Sequence, residues 1–416
     1  MRKSTVSSKD RFPLWQPLTV RDFRLLYIGE SVSLLGDQFY LVALPWLTIQ
    51  LTHSPISLGT VLMAAAIPRA VLMLIGGVFS DRLSPRFIML VSNGLRAVLT
   101  VLLTALIMFR RTQLWHLYVF ALSFGVVDGF FIPAAKSIIP TLVTKELLAA
   151  SNALSQGTTQ LLVLIGPALG GLLISSIGIE TAFAIDAATF MFTSVTLLLM
   201  KSSHQSSPES ISAGRLVNLF GSIREGLNYV WNNRELRVVL LVVTILNFIF
   251  VGPIQVGITS LAQSRFLGGA IALGIMNSAW GGGGLLGTLM PGIFRRLPPV
   301  GILMLTLASI QGFGLFLLGF LPSILLASVT IAVLGSCSSF FTVVAITWIQ
   351  KQTSPEMLGR VISLGMLSSF GVAPFSYALA GVLADLNITT LFTATGGFML
   401  IISVLLMINR SLRSIN

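Results

Sequence analysis

The chain has 416 residues, 54% of them hydrophobic and 10% charged, with 26 Lys and Arg against 14 Asp and Glu for a formal net charge of +12. Soluble domains carry roughly 25% charged residues, so this composition and a mean hydropathy of +0.91 exclude a soluble globular protein. The positive balance does not indicate nucleic acid binding, because the basic residues sit in short segments between apolar runs, the pattern of membrane topology.

Residues 1–24 are basic and polar and hold no short apolar core, so no cleaved signal peptide is expected. Apolar runs near the roughly 20 residues that span a bilayer then follow at 25–51, 56–79, 87–109, 115–139, 152–177, 179–200, 237–261, 269–294, 300–320, 323–349, 361–384 and 389–408. Gly178 and Glu180 are almost all that separates the fifth from the sixth. The expected fold is an all-α integral membrane protein of twelve transmembrane helices in two six-helix bundles. Its parts are a cytoplasmic N-terminal segment 1–24, an N-terminal bundle 25–200, a cytoplasmic linker 201–236, a C-terminal bundle 237–409 and a cytoplasmic tail 410–416.

Orientation follows from the lysines and arginines. With the N-terminus in the cytoplasm, most of them fall on the inner side, among them Arg82, Arg86, Arg234, Arg237, Arg295, Arg296, Lys351 and Arg360. The outer side holds Arg110, Arg111 and Arg265, and Arg69, Arg96 and Lys136 lie within the spans. Both termini are therefore expected in the cytoplasm, with the chain in the cytoplasmic (inner) membrane. In the linker, Ser202–Ser210 has a flexible composition. After it, Leu216, Phe220, Ile223, Leu227 and Val230 recur at helical spacing, predicting an amphipathic helix on the inner membrane surface.

The halves repeat. At an offset of 210, Glu146–Leu154 falls on Glu356–Leu364 and Gly166–Leu173 on Ser376–Leu383; at 215, Gly77–Phe79 falls on Gly292–Phe294. Two bundles related by an axis along the membrane normal fit this pattern. The segment Gly77, Asp81, Arg82, Arg86 between the second and third runs resembles the cytoplasmic loop motif of the major facilitator superfamily, with Ser84 and Pro85 departing from it. Asp22–Leu26, Ser33–Asp37, Pro133–Pro140, Ala150–Leu154, Arg224–Leu227 and Gly359–Val361 are similar to the macrolide-efflux type of exporter in that superfamily. The resemblance covers residues 20–410. It implies a secondary transporter, exporting amphipathic compounds against proton entry; such exporters carry macrolides, other antibiotics and siderophores, so it does not fix the cargo. It also implies that Asp81 meets the start of the eleventh helix when the inner side closes, a latch for which simple charge anchoring accounts in Arg82 and Arg86 but not in Asp81.

Charges inside apolar runs are costly and mark function. Asp37, Arg69 and Asp128 lie near mid-membrane, Glu30 and Arg96 toward the inner side, and Asp186 toward the outer side. Runs seven to twelve hold almost no ionisable group, and Asn247 stands at the 210 offset from Asp37, a polar cavity candidate. A carboxylate in an apolar cavity can take a proton from one side and release it to the other, and ~100 mV supplies about 2.3 kcal/mol per charge. Asp37 is the first candidate for proton coupling and Asp128 the second, with Glu30 also considered. The alternative is that Asp37 or Asp128 pairs permanently with Arg69. A Glu30–Arg96 ion pair at the inner gate is expected, and a structural, capped or paired Asp186. Gly166, Pro167, Gly170 and Gly171 resemble the second half of an antiporter signature, with helix packing as the alternative. The run Gly281–Gly284 suggests close packing or a flexible gate helix.

No Gly-x₄-Gly-Lys-Ser/Thr loop is present, so ATP is not the expected energy source. His53, His116 and His204 lack ligand spacing, and Cys337 is the one cysteine, so no metal, cofactor or disulfide is expected. No nucleophile–base–orienter set points to an enzyme. The expected partners are a small amphipathic substrate and the bilayer, with a proton as coupling ion and the chain a monomer. Alternatives are a siderophore or lysophospholipid exporter of the same fold, and a scaffold or sensor that does not transport.

Overall fold

The computed structural model describes residues 14–80, 83–201, 214–294 and 298–408. Within them the chain is helical, with no strand. After a short 3₁₀ turn, Gln16–Thr19, come α1 (Arg21–Thr52), α2 (Pro55–Ser80), α3 (Pro85–Met108), α4 (Leu114–Leu142), α5 (Leu148–Ser176) and α6 (Ile179–Leu199). The linker carries α7 (Gly214–Asn232). Then follow α8 (Arg234–Gly252), α9 (Ile258–Arg265), α10 (Ala270–Ile293), α11 (Val300–Leu318), α12 (Ile324–Gln352), α13 (Leu358–Phe370), α14 (Ala373–Leu386) and α15 (Ile388–Ile408).

Among the described residues eleven helical spans are long and apolar enough to cross a membrane, with α8–α9 and α13–α14 each counting as one. α10, on the expected run 269–294, is 24 residues long but is not among the eleven. Asn277, Ser278 and four successive glycines dilute its apolar content. Two runs read as single helices are interrupted for one reason. Pro253 opens a π turn, Pro253–Gly257, between α8 and α9, and Pro374 sits in the first turn of α14, just past the break after α13. Proline has no amide proton to give the carbonyl four residues back, so each ladder must re-register.

α1–α6 pack mainly on one another, as do α8–α15. Within the first set, Gly29 and Gly36 of α1 lie against a threonine ridge of α6, and Thr193 Oγ1 donates to the Gly29 carbonyl at 2.8 Å. Within the second, Gly283 and Gly287 of α10 lie directly against the backbone of α12 at Ala332 and Ser336. The glycine run therefore serves close packing.

Call the end where α7 lies the near end, and the end where α1 meets α2 the far end. The two sets meet mostly in the far half. Gly171 of α5 abuts the backbone of α10 at Ala270 and Gly274, and the Ala168 amide donates to Ser278 Oγ at 2.9 Å. Gly59 of α2 lies against Tyr377 and Gly381 of α14, and the Gln263 carboxamide of α9 is 3.2 Å from His53 Nδ1. Toward the near end, α7 does more than cover the surface. Glu225 pairs with Arg360 of α13 at 2.6 Å, and the Ser354 amide donates to Tyr229 Oη at 3.3 Å.

Cys337, the single native cysteine, is buried, so engineered thiols can be read cleanly. A His53→Cys, Gln263→Cys pair is expected to cross-link readily under mild oxidation. Adding Gly171→Leu, whose side chain would meet the Ala270 carbonyl, should reduce the cross-linked fraction severalfold on a gel-shift assay.

Candidate functional site

The polar residues inside the first set share one seam because of helical periodicity. Glu30, Ser33 and Asp37 occupy one face of α1; Asn93, Arg96 and Thr100 one face of α3; Asp186, Thr189 and Thr193 one face of α6. α2 and α4 add Arg69 and Asp128. Asp128 is the centre: Arg69 Nη2 lies 2.7 Å from its Oδ2, and Arg96 Nη2 donates to its Oδ1. Arg96 is 4% exposed, and its guanidinium lies 4.1 Å from the Phe131 ring centroid and 5.5 Å from that of Phe190. A desolvated cation over an aromatic face gains about 2 kcal/mol, which offsets part of the cost of burying it.

The expected Glu30–Arg96 ion pair is not formed; Arg96 turns to Asp128. Glu30 feels the Arg96 charge, yet its buried Oε1 has no hydrogen-bond partner among the described residues. Of the two alternatives for Arg69, the structure has the Asp128 pairing. Asp37 makes no direct ion pair among the described residues; the charges acting on it are Arg96, Asp128 and Arg69, in that order. Asp186 is neither capped nor paired. It is 0% exposed, both carboxyl oxygens lack partners among the described residues, and Asp37 and Arg96 are the charges acting on it. Four carboxylates thus share two guanidinium groups.

The seam is closed on one side and open on the other. Toward the far end Tyr40 stacks on Phe124 at 5.0 Å, and Phe120, Phe183 and Phe190 complete an aromatic layer. Toward the near end Glu30 lines a cavity of about 560 Å³ between α1, α4 and α5, together with Lys136, Asn152, Ser155 and Gln156. Glu30 is where that cavity reaches the buried charges.

Of the loop motif, Asp81 and Arg82 lie outside the described residues, and Gly77 falls within α2. Arg86 does something the sequence did not suggest. Its Nε and Nη2 donate to the Leu197 and Leu198 carbonyls at 2.7 and 3.0 Å, and Arg21 donates to Leu199 at 3.0 Å. The two arginines cap the C-terminal end of α6, where free carbonyls and the helix dipole favour cations. The glycine–proline motif of α5 is a crossing point. Gly166 and Gly170 face Gln38 and Phe39 of α1, whereas Gly171 and the Pro167 carbonyl face α10.

In the second set, Asn247 donates to the Val243 carbonyl at 3.0 Å and to Ser369 Oγ at 3.4 Å. It lines a cavity of about 340 Å³ with Phe250, Gln311, Ser338, Phe341 and Ser369. With helix ends aligned, Arg21–Thr52 on Arg234–Arg265, Asp37 falls on Phe250, and Asn247 is about one turn away. Gln311 and Ser338 carry no charge and so do not stand out within apolar runs; the repeat offsets of 215 from Arg96 and 210 from Asp128 are the sequence signal that points to them.

A multi-pass helical bundle with ionisable groups buried in one half and cavities opening from its core is built as a membrane transporter. Residues 13–416 match the transmembrane secretion effector family, and the chain belongs to that family of major facilitator transporters. It is 24% identical to macrolide efflux protein A of Streptococcus pyogenes, over 92% of this chain and 94% of that protein. It is 26% identical to the enterobactin exporter EntS of Shigella flexneri, over 93% and 91%. The fold is similar to the crystal structure of the nucleoside transporter NupG, at a TM-score of 0.75 with 13% identity, over 93% of this chain and 98% of that one. These relatives are transporters, not enzymes.

The unequal pairing makes a stability prediction. Removing one partner of a buried ion pair costs about 3–5 kcal/mol, so Asp128→Asn and Arg96→Ala should lower the thermal midpoint of the detergent-solubilised protein by several degrees. Asp37→Asn removes no ion pair and should change stability by less than about 1 kcal/mol. A larger loss from Asp37→Asn than from Asp128→Asn would contradict the arrangement.

Proposed function

We propose that the protein is a twelve-helix secondary transporter of the inner membrane that exports amphipathic, drug-like molecules in exchange for protons. Its helices form two six-helix bundles, 25–200 and 237–409, with both termini in the cytoplasm. The observation that carries the reading is the uneven charge balance at Asp128. Two guanidiniums cannot neutralise four carboxylates in a medium where an uncompensated charge is expensive, so protons make up the difference. Asp128, held by both arginines, is the anchor. Asp37, without a direct pair, is the proton carrier, and Glu30 hands the proton to the near-end cavity. With the far end taken as the outer side, the meeting of the two sets there supports an inward-facing state, in which protons leave through Glu30. Alternating access then requires the glycine contacts of α5 and α10 to part while the near end closes.

The similarity to macrolide efflux protein A favours a macrolide as cargo. The similarity to the enterobactin exporter favours a second reading, in which the cargo is a siderophore. Uptake of a labelled macrolide into inside-out vesicles should depend on an imposed pH gradient. Asp37→Asn, at equal expression, should reduce gradient-driven uptake at least tenfold while leaving exchange of internal for external substrate near the wild-type rate. Gradient-driven uptake that survives this substitution would remove Asp37 from the coupling step.

A further inference from the structure

We infer that the C-terminal set contains a binding site for an uncharged, ring-bearing molecule with hydrogen-bonding groups, built where the N-terminal set has its ion pairs. This rests on the transport reading and names a class of molecule that the transporter takes.

Alignment of helix ends carries the first part of the argument. α4 and α12 are both 29 residues long and begin at Leu114 and Ile324, an offset of 210 that places Asp128 on Ser338 and Phe131 on Phe341. α3 (24 residues) and α11 (19 residues) begin at Pro85 and Val300; with these N-terminal ends aligned the offset is 215, which places Arg96 on Gln311. In the N-terminal set these positions hold the Arg96–Asp128 pair, with the guanidinium 4.1 Å above the Phe131 ring. In the C-terminal set the same three positions all line the 340 Å³ cavity. Where the first set has a guanidinium and a carboxylate, the second has a carboxamide and a hydroxyl, and Phe341 lines the cavity where Phe131 lies under an arginine.

The chemistry of the lining carries the second part. Among the described residues no charged side chain lines this cavity, so an ion entering it would lose its hydration with nothing to neutralise it. Gln311 is 5% exposed, and neither its carboxamide nor the Ser338 hydroxyl has a protein hydrogen-bond partner among the described residues. Both residues line the cavity, so their donors and acceptors are open to a molecule placed in it. Asn247 spends its amide protons on Val243 and Ser369, which leaves its carbonyl oxygen as an acceptor. The cavity thus offers donors and an acceptor at its polar side, and the faces of Phe250, Phe341 and Phe370 for a ring. Its volume falls at the lower end of the roughly 300–1,000 Å³ of ligand sites, enough for a small molecule or for one uncharged face of a larger one.

Equilibrium binding to the full chain in lipid nanodiscs, with no pH gradient, tests this apart from proton coupling. The probes are labelled chloramphenicol and Nile red, both uncharged and ring-bearing, against labelled tetraphenylphosphonium as the cation. Wild type is expected to bind at least one uncharged probe saturably, with tetraphenylphosphonium in large excess failing to displace it. Gln311→Leu should weaken that binding about tenfold while the thermal midpoint stays level or rises, because no protein hydrogen bond is lost. Phe341→Ala should weaken it as well. Gln311→Glu should abolish binding of the uncharged probe. The inference is overturned if wild type binds neither uncharged probe, if tetraphenylphosphonium displaces them competitively, or if Gln311→Leu and Phe341→Ala both bind as wild type does. A loss of binding in Gln311→Leu accompanied by a lowered midpoint overturns it too, since the carboxamide would then be structural.

Discussion

The grip of two arginines on one aspartate organises the N-terminal set. Asp128 receives Arg69 from α2 and Arg96 from α3, so a single carboxylate on α4 ties three helices together at mid-depth. In a low dielectric such a tie is strong only while every member is present. Its consequence is a sorting of roles. Asp128 is doubly held, whereas Asp37, Glu30 and Asp186 have no direct ion pair among the described residues. The same tie fixes the position of Arg96, whose field reaches Glu30, Asp37 and Asp186.

Packing follows the same logic of small groups admitting close approach. Gly29 and Gly36 bring α1 against α6, which sets Asp37 beside Asp186 and leaves no room for solvent between the helices. Tyr40, Phe120 and Phe124 pack on the far-end side of Asp37 and Asp128. What remains open is the route past Glu30 to the near-end cavity. α12 keeps the 29-residue length of α4, but the C-terminal set keeps neither the charges nor the arginine over the aromatic ring.

Much of this was legible in the residues. Charges in apolar runs are rare enough that Glu30, Asp37, Arg69, Arg96, Asp128 and Asp186 stood out one by one. Their depth could be counted along each helix, but depth does not say which side chains face each other. For that reason the expected partner of Arg96 is Glu30 and the observed one Asp128, and Asp186, expected to be capped or paired, has no partner among the described residues. The breaks at Pro253 and Pro374 were hidden for a different reason: hydropathy follows lipid exposure, and an apolar proline interrupts the hydrogen-bond ladder without lowering it. α10 shows the converse, since its glycines weaken the hydropathy of a helix that packing sustains.

Much of the seam between the two sets at the far end is backbone against backbone, Gly171 on Gly274 and Gly59 on Gly381. Dispersion contacts of this kind are blind to ionic strength and to the electric field, unlike ion pairs, which weaken as salt screens them. The glycine contacts themselves therefore form no electrostatic latch; the polar contacts across this end are exposed ones, Ser54 Oγ donating to Asp385 Oδ1 at 3.4 Å and Gln263 beside His53 at 3.2 Å. At Gly171 and Gly59 the two sets are so close that a single added methyl group would collide with backbone across the seam, so any change of spacing there moves whole helices and not side chains.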